Sequence, residues 1–309
     1  MENKETNQKK IIDNKYIIEK YLDEGGFSYV YKVKDITNNE IYALKLFKED
    51  NNIFQNEIKI NQIIKDSKNQ YCIQYIKSSL EKSEIPYIIL EFASKGSALN
   101  YITYNETGLN EKLCKYLFSK ILTIVNSLHK MGICHRDLKL DNFLFDGDNY
   151  VIKIGDFGFS SQIIKDNEGN PHKQTGEVGT RFYKAPEIYK NKYYDGEMAD
   201  IFSLGVILFN LRTSKFGFMA AKEDDSLYKY IKEGKIKFYW EILGQIFNVS
   251  DLTKDFKNLY IQLVAYNPKK RLTIEEIYNH VWLKGIRDLN EKELKEYEEE
   301  LKEELKKRE

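Results

Sequence analysis

The sequence is poor in the residues that mark disulfide scaffolds, zinc ribbons and rigid linkers. Its 309 residues include three cysteines and four prolines. Cys72, Cys114 and Cys134 are scattered and form no CxxC pair, which predicts small buried apolar side chains in a reducing compartment. No internal repeat or proline-rich linker is visible. A disulfide framework and a zinc site are therefore not expected.

An excess of charge and a long apolar run are also lacking. The 48 basic residues equal the 48 acidic ones, so net charge gives no reason to expect a nucleic-acid or membrane partner. The most apolar segment, 201–211, is interrupted by Ser203, Gly205 and Asn210 and falls short of the roughly 20 residues that span a bilayer. The polar first ten residues resemble neither a signal peptide nor a myristoylation site. We therefore expect a cytoplasmic protein with no nucleic-acid or membrane partner.

The pattern of the chain changes once, near residue 92. Alternating β-branched and aromatic residues predict strands before that point, and helical spacing dominates after it. The predicted strands are 16–22, 28–35, 41–47, 73–80 and 87–92, with one helix at 53–65. Asn110 and Gly132 are expected to begin and end a long helix, and further helices are predicted at 200–211, 225–232, 253–264 and 273–279.

The last residues, 288–309, predict one exposed helix with a narrow apolar stripe. The stripe consists of Leu294, Tyr297, Leu301 and Leu305. Because it is short, a solvated extension or a contact with the domain's own surface is favoured over a coiled-coil partner.

Two segments of the strand-rich half are weak indications of a phosphate-binding site. Gly25 and Gly26 join two predicted strands, where backbone N–H groups could approach phosphate oxygens, although such a pair is more often only a turn. Lys45 ends the run Tyr-Ala-Leu-Lys on the next strand. Glu57, twelve positions later, could keep a buried Lys45 charged.

Three segments of the helical half are specific as an ordered set. They are His-Arg-Asp-Leu-Lys-Leu-Asp-Asn at 135–142, Asp-Phe-Gly at 156–158 and Gly-Thr-Arg-Phe-Tyr-Lys-Ala-Pro-Glu at 179–187. With these segments, residues 16–285 resemble a eukaryotic protein kinase domain. Lys139, two positions after Asp137, and Thr180 resemble the serine/threonine type, and residues 134–142 and 217–231 resemble the calmodulin-dependent kinase-like group.

The resemblance implies an α+β fold of two lobes. A small N-terminal lobe with an antiparallel sheet and one helix would precede a larger, mostly helical C-terminal lobe. It divides the chain into a polar extension at 1–15, an N-lobe at 16–92, a C-lobe at 93–286 and a charged helical tail at 287–309.

The resemblance also implies an enzyme that moves the terminal phosphate of ATP, with Mg²⁺, to Ser or Thr hydroxyls of protein substrates. Asp137 would orient the hydroxyl proton, Lys139 would neutralise developing charge, and Asn142 and Asp156 would hold the metal. The residues implied as catalytic are Asp137, Lys139, Asn142 and Thr180. Those implied as ATP-binding are Gly25, Gly26, Val30, Ala43, Lys45, Glu57, Leu90, Glu91, Ala93, Leu144 and Asp156.

Supporting positions follow from the same resemblance. Glu187 and Arg271 are expected to form an ion pair beneath the substrate-binding segment, and Asp200 is expected to bind the backbone of the catalytic loop. Of the three positions at which related kinases read basic residues upstream of the target, Ser97, Asp141 and Asn210, one is acidic, so at most a modest preference is expected.

Control of the enzyme is predicted to involve an upstream activating kinase. Arg136 would pair with a phosphate on the segment 156–187, with Thr175 as the candidate site ahead of Ser160 and Ser161. Glu177 could instead supply a permanent negative charge. The chain is expected to be a monomer.

Three departures from the family pattern sustain a rival function. Asp23 and Ser28 replace glycines of the glycine-rich loop, and Asn61 replaces an apolar residue one turn after Glu57. The alternative is a pseudokinase that acts as a binding scaffold. Because Lys45, Glu57, Asp137, Asn142 and Asp156 are all present, the active enzyme is favoured. The intact segment 179–187 disfavours a small-molecule kinase.

Overall fold

A computed structural model describes residues 10–79, 86–103, 107–163, 174–190 and 193–309. The backbone forms two compact units, Met1–Ser94 and Lys95–Glu309. Of the predicted extension at 1–15, residues 1–9 lie outside the described residues, as does the last position of the strand predicted at 73–80. The four-part division of the chain stays a prediction.

The described residues of the first unit form a six-stranded antiparallel sheet with one helix. Its strands, in the spatial order β1-β2-β3-β4-β6-β5, are β1 (Ile11–Ile12), β2 (Tyr16–Glu24), β3 (Ser28–Asp35), β4 (Ile41–Phe47), β5 (Tyr75–Ser78) and β6 (Tyr87–Glu91). The helix α1 spans Asn52–Asp66, and Asn51 begins it by accepting the backbone N–H groups of Ile53 and Phe54. The predicted strands and helix are confirmed, and the short β1 was not predicted.

Period-two alternation along β4 decides what each side of the sheet carries. Leu44 packs into a cluster on one face, while Phe47 packs on the other face against Phe54 of α1. Side chains of a strand alternate between faces, so Lys45 shares the face of Phe47, on which α1 lies. The sheet therefore directs Lys45 toward the helix that carries Glu57.

The second unit is mostly helical. Its helices are α2 (Ala98–Ile102), α3 (Glu111–Lys130), α4 (Pro186–Lys190), α5 (Gly196–Thr213), α6 (Tyr228–Lys232), α7 (Ile236–Ile246), α8 (Lys254–Leu263), α9 (Ile274–Tyr278) and α10 (Glu291–Arg308). Its strands are β7 (Gly96–Ser97), β8 (Ile133–Cys134), β9 (Phe143–Asp146), β10 (Val151–Ile154) and β11 (Ser161–Gln162), and three-residue 3₁₀ turns lie at Leu140–Asn142, Pro268–Lys270 and Val281–Leu283.

The apolar segment 201–211 lies in α5 and is buried on every side. A Cβ atom at Gly205 would lie 2.7 Å from Cβ of Leu263, so the close packing of α5 on α8 requires glycine there. Among the described residues, no helix has the length and apolar character needed to cross a membrane.

The C-terminal helix α10 packs on its own unit. Leu301 and Leu305 are buried, and the rings of Tyr297 and Tyr116 lie 5.3 Å apart. The guanidinium of Arg308 donates to the carbonyl oxygens of Thr107 and Gly108. The expectation of an exposed helix is wrong for this stripe, and the alternative of a contact with the domain's own surface is confirmed.

The helices of the second unit depart from the sequence prediction in several places. Asp225 precedes α6 rather than beginning it, because its carboxylate accepts the backbone N–H groups of Leu227 and Tyr228. The helix α5 begins at Gly196, before the predicted start at residue 200. The helices α2 and α4 were missed because five residues are too few for a helical period. The helix α7 was also missed, although Tyr239 and Leu243 have helical spacing and are buried.

Candidate active site

Lys45 and Glu57 form a buried ion pair within the first unit. The ammonium nitrogen of Lys45 lies 2.8 and 2.7 Å from the two carboxylate oxygens of Glu57. Glu57 lies on the buried face of α1, with Phe54 and Ile60. A carboxylate on such a face is stable only with a charged, hydrogen-bonded partner, and Lys45 is that partner. The predicted pairing is therefore present.

Asn61 lies one turn after Glu57 and is buried. Its amide nitrogen donates to the carbonyl oxygen of Glu57 at 3.0 Å, but its oxygen Oδ1 has no hydrogen-bond partner among the described residues. A buried acceptor without a partner costs about 1–3 kcal/mol. The predicted departure at Asn61 thus places a destabilising group beside the ion pair.

The two glycines form the tip of the β2–β3 hairpin. The backbone N–H of Gly25 donates to the carbonyl oxygen of Ser28 at 2.8 Å, and nothing lies within 4 Å of a Cβ atom built at Gly26. Asp23 lies on β2 opposite Val30 and is exposed, whereas Ser28 is buried at the start of β3. The departure at Asp23 therefore leaves a solvated carboxylate next to the hairpin tip.

The strand β6 holds the residues predicted to meet the adenine ring. Leu90 is paired with Ala43 of β4, and Glu91 with Tyr42. The carboxylate of Glu91 accepts the backbone N–H of Gln74 at 3.0 Å. Ala93 follows as a buried residue. In the second unit Leu144 is also predicted to contact the adenine ring. It is half-buried on β9, opposite Ser97 of β7.

Asp200 anchors the loop 135–142 of the second unit, which is predicted to be catalytic. Its carboxylate is fully buried and accepts the backbone N–H groups of His135 and Arg136, both at 2.8 Å. The ring of His129 lies 2.9 Å from the same carboxylate. The predicted bond from Asp200 to the loop is present. His129 was missed, because nothing in its sequence context distinguishes it from an ordinary residue of the last helical turn.

Two non-glycine residues of this region have left-handed backbone conformations. Arg136 has φ of 64° and Asp156 has φ of 61°. Such conformations cost about 1–3 kcal/mol and persist where surrounding contacts impose them, often at functional sites. At Arg136 the constraint comes from the carboxylate of Asp200, which accepts the backbone N–H of Arg136.

Asp137 is held by Thr180 and Lys139. Its oxygen Oδ1 accepts the backbone N–H of Thr180 at 2.7 Å and the Thr180 hydroxyl at 2.8 Å. The ammonium of Lys139 lies 3.4 Å from Oδ2 of Asp137 and donates to Oγ1 of Thr180 at 3.1 Å. Gly179 makes the approach feasible, because a Cβ atom there would lie 2.8 Å from the carbonyl oxygen of Arg136. The carboxylate of Asp137, the backbone N–H and hydroxyl of Thr180 and the ammonium of Lys139 are therefore joined in one network of hydrogen bonds and charges.

The electrostatic surroundings keep Lys139 charged. Burial disfavours its ammonium form, but attraction to the carboxylates of Asp137, Asp141 and Asp156 outweighs burial and raises the pKa of Lys139. Lys139 is therefore a fixed positive charge beside Asp137 at neutral pH.

Asn142 and Asp156 are adjacent and offer oxygen ligands. The backbone N–H of Gly155 donates to the carbonyl oxygen of Asn142 at 2.9 Å, which brings Asp156 next to it. The amide nitrogen of Asn142 donates to the carbonyl oxygen of Asp137 at 2.9 Å, so the amide oxygen is the atom left for a cation. Across the described ranges, no cluster of three His, Cys, Asp or Glu side chains could hold a metal. A carboxylate and an amide fit Mg²⁺, which typically takes few protein ligands and completes its shell with phosphate and water oxygens.

A second buried ion pair supports the segment that follows Thr180. Arg271 donates to both carboxylate oxygens of Glu187, at 2.6 and 2.7 Å, and also to the carbonyl oxygens of Met198 and Ala265. The predicted pair is present, and its bidentate geometry fixes α4 to the body of the unit.

Arg136 contacts the segment predicted to carry the regulatory phosphate. Its Nε donates to the carbonyl oxygen of Phe159 at 2.7 Å and its Nη1 to that of Thr175 at 3.0 Å. Thr175 is exposed, whereas Ser160 is fully buried and donates to the carbonyl oxygen of His135. Residues 164–173 lie outside the described part of the segment.

Comparisons with known proteins agree with this geometry. The family described as protein kinase domain matches residues 16–283. A human SNF-related serine/threonine-protein kinase is 31% identical over 88% of this chain, which spans 34% of that protein's length. The rice serine/threonine-protein kinase SAPK3 (Oryza sativa subsp. indica) is 29% identical over 93% of this chain and 83% of its own. The Arabidopsis thaliana serine/threonine-protein kinase SRK2C is 30% identical over 87% of this chain and 75% of its own length.

The SNF-related relatives are consistent with the predicted resemblance to the calmodulin-dependent kinase-like group. The two-lobed kinase fold expected from the sequence is likewise confirmed by the family match. The chain therefore belongs to the eukaryotic protein kinase domain family and is of the serine/threonine type.

Proposed function

We propose that the chain transfers the terminal phosphate of ATP to Ser and Thr hydroxyls of protein substrates. The observation that carries this proposal is the constellation around Asp137. Two donors from Thr180 occupy Oδ1 of Asp137, so Oδ2 is the atom that receives or orients the proton of a substrate hydroxyl. Lys139, beside Oδ2, neutralises negative charge that develops on the transferred phosphoryl group.

Lys45 is proposed to contact the phosphates of ATP. Its pairing with Glu57 keeps the ammonium charged and fixes its position despite burial. Gly25, Gly26 and Val30 line the hairpin proposed to approach the phosphates, and Ala43, Leu90, Glu91, Ala93 and Leu144 are proposed to contact the adenine ring.

Asn142 and Asp156 are proposed to hold Mg²⁺ through their side-chain oxygens. Bound Mg²⁺ would supply neutralisation of the phosphate charges. The amide nitrogen of Asn142 donates to the backbone carbonyl oxygen of Asp137, which supports a metal site close to the proposed proton acceptor.

The decisive experiment measures transfer from labelled ATP to a library of Ser/Thr peptides in the presence of Mg²⁺. Asp137→Asn should lower the rate on the order of 10²- to 10⁴-fold, because a positioned proton acceptor is lost. Asp148→Asn, in an exposed turn, is the matched control and should leave transfer unchanged. Binding of ATP without transfer, even after treatment with an activating kinase, would instead indicate the pseudokinase function.

Regulation by an upstream kinase at Thr175 is a further part of the proposal. The exposure of Thr175 and its contact with Arg136 support it, since a phosphate there would lie near a guanidinium. If Thr175→Ala retains full activity after phosphatase treatment and incubation with an activating kinase, Thr175 is not the site.

Three free, buried cysteines support a reducing, cytoplasmic location. We also propose that the chain acts as a monomer.

A further inference from the structure

Four lysines surround two tyrosine rings on the surface that continues from the segment 179–187. This group, here called the lysine platform, consists of Lys184, Lys190, Lys222 and Lys232 around Tyr189 and Tyr266. The ammonium groups of Lys184 and Lys222 lie 5.0 and 4.7 Å from the centre of the Tyr189 ring. Those of Lys190 and Lys232 lie 5.3 and 5.5 Å from the centre of the Tyr266 ring. Cation–π contacts hold all four charges in place.

The platform begins beside the proposed proton acceptor. Lys184 borders the same small gap between side chains as Asp137, Gly179 and Thr180, so it lies close to them. The hydroxyl of Tyr189 donates to the carbonyl oxygen of Arg181 at 3.2 Å, which joins that residue to the platform. A peptide whose hydroxyl lies at Asp137 would therefore have its neighbouring residues near Lys184 and Arg181, where the platform begins.

Few carboxylates balance this charge. The platform's ion-pair partners among the described residues are Glu177, 3.4 Å from Lys184, and Glu223, which pairs with Lys190 and Lys232. The side chains of both glutamates are more than half exposed, at 59% and 51%. Lys222 and the exposed Arg181 have no ion pair in the same parts of the chain. Five cations thus meet two solvated carboxylates, and water-exposed pairs of this kind are weak and readily exchanged.

Of the three positions predicted to attract basic residues, only Asp141 carries a charge, and its carboxylate lies near the ammonium of Lys139. The Ser97 hydroxyl donates to the carbonyl oxygen of Leu140, and Asn210 is fully buried, where its amide oxygen accepts the Thr103 hydroxyl. Neither side chain carries a charge. The excess of positive charge is therefore a feature of the lysine platform, and a single carboxylate at the three positions, beside Lys139, opposes it.

We propose that the lysine platform selects substrates with Asp or Glu close to the target Ser or Thr. This inference rests on the proposed function, because it assigns the class of protein substrate to the same site. Each acidic side chain would replace a solvated glutamate as the partner of one or two lysines, and complementary charge would also accelerate encounter.

The first test compares three peptides that differ only in residues within four positions of one serine: Asp-rich, Ala-rich and Lys-rich. The expected kcat/KM is roughly tenfold higher for the Asp-rich than for the Ala-rich peptide, as two or three weak ion pairs would give. It should be lowest for the Lys-rich peptide, and salt should narrow the differences. Equal values for the Asp-rich and Ala-rich peptides, or a preference for lysine, would overturn the proposal.

Variants then locate the effect. Lys184→Gln and the double variant Lys222→Gln/Lys232→Gln should each reduce the preference for the Asp-rich peptide several-fold. Lys292→Gln, a highly exposed lysine of α10, is the matched control and should retain it. The proposal fails if the control lowers the preference as much as the platform variants do.

A binding measurement separates this proposal from the proposed function. Fluorescence anisotropy of labelled peptides with Ala in place of the target Ser needs no catalysis. Tighter binding of the Asp-rich peptide, lost in the platform variants, supports the platform even if no phosphate is transferred. Equal binding of the Asp-rich and Ala-rich peptides overturns it, whether or not the chain is active.

Discussion

Lys45 and Asp137, two of the charged residues expected to act directly on ATP or substrate, are anchored in different ways. Asp137 lies in a loop whose backbone is bound by the buried carboxylate of Asp200, and its own carboxylate accepts two hydrogen bonds from Thr180. Lys45 is held through its side chain by Glu57, and the helix that carries Glu57 also buries an unpartnered oxygen of Asn61.

The difference concerns the kind of group that anchors each residue. Asp200 binds two backbone N–H groups of the loop 135–142, so the main chain around Asp137 is held as well as its side chain. Lys45 and Glu57 hold each other through opposite charges, and removal of either takes away the charge that neutralises the other. Substitutions within each unit measure how much stability these anchors contribute.

The largest effect is expected for Asp200→Ala. Two buried N–H groups, of His135 and Arg136, would lose their acceptor, so the free energy of unfolding should fall by about 4 kcal/mol. Asp195→Ala, which removes only the N-cap of the same helix, is the matched control and should cost about 1 kcal/mol. Urea denaturation measures both, and equal losses would show that the loop is not anchored through Asp200.

Lys45→Met should destabilise the protein by about 3 kcal/mol, because the buried carboxylate of Glu57 would lose the ammonium that neutralises it. The double variant Lys45→Met/Glu57→Leu should regain most of that stability while phosphate transfer stays absent. Urea denaturation and the transfer assay separate the two effects. A double variant as unstable as the single one would mean that the pair itself is not what stabilises α1.

Asn61→Leu should stabilise the protein by about 1 kcal/mol, because it removes a buried acceptor that has no partner. The melting temperature should then rise by about 1–2 °C. Gln62→Leu, at the exposed neighbouring position of α1, controls for helix propensity and should change it little. A lower melting temperature for Asn61→Leu would show that the amide contributes more than its orphaned oxygen costs.

The smallest effect is expected for Asp23→Gly. Removal of an exposed carboxylate beside the hairpin tip should lower the KM for ATP about twofold, since charges in water interact weakly. Asp23→Asn removes the charge without freeing the backbone and should account for most of the change. An unchanged or higher KM in both variants would contradict the idea that this carboxylate repels the phosphates.

Particular elements show how far the sequence alone could be read. The helix α3 begins where Asn110 predicted, because the side chain of that residue accepts the backbone N–H of Leu113. Local capping and alternation are short-range effects and are visible in sequence. The helix α7 was missed although Tyr239 and Leu243 keep its helical spacing, whereas β1 has only two residues, too few for a pattern.

The order of the motifs determined the family, the fold class and the identities of Lys45, Asp137 and Asp156, since those residue types at those positions are needed for the chemistry. Only the tertiary structure decided that His129 joins the Asp200 carboxylate, that the oxygen of Asn61 is buried without a partner, and that four lysines gather around Tyr189 and Tyr266. These features depend on contacts between residues tens of positions apart, or on how completely neighbours exclude water. Local sequence encodes neither quantity, because both arise from packing of whole helices and strands.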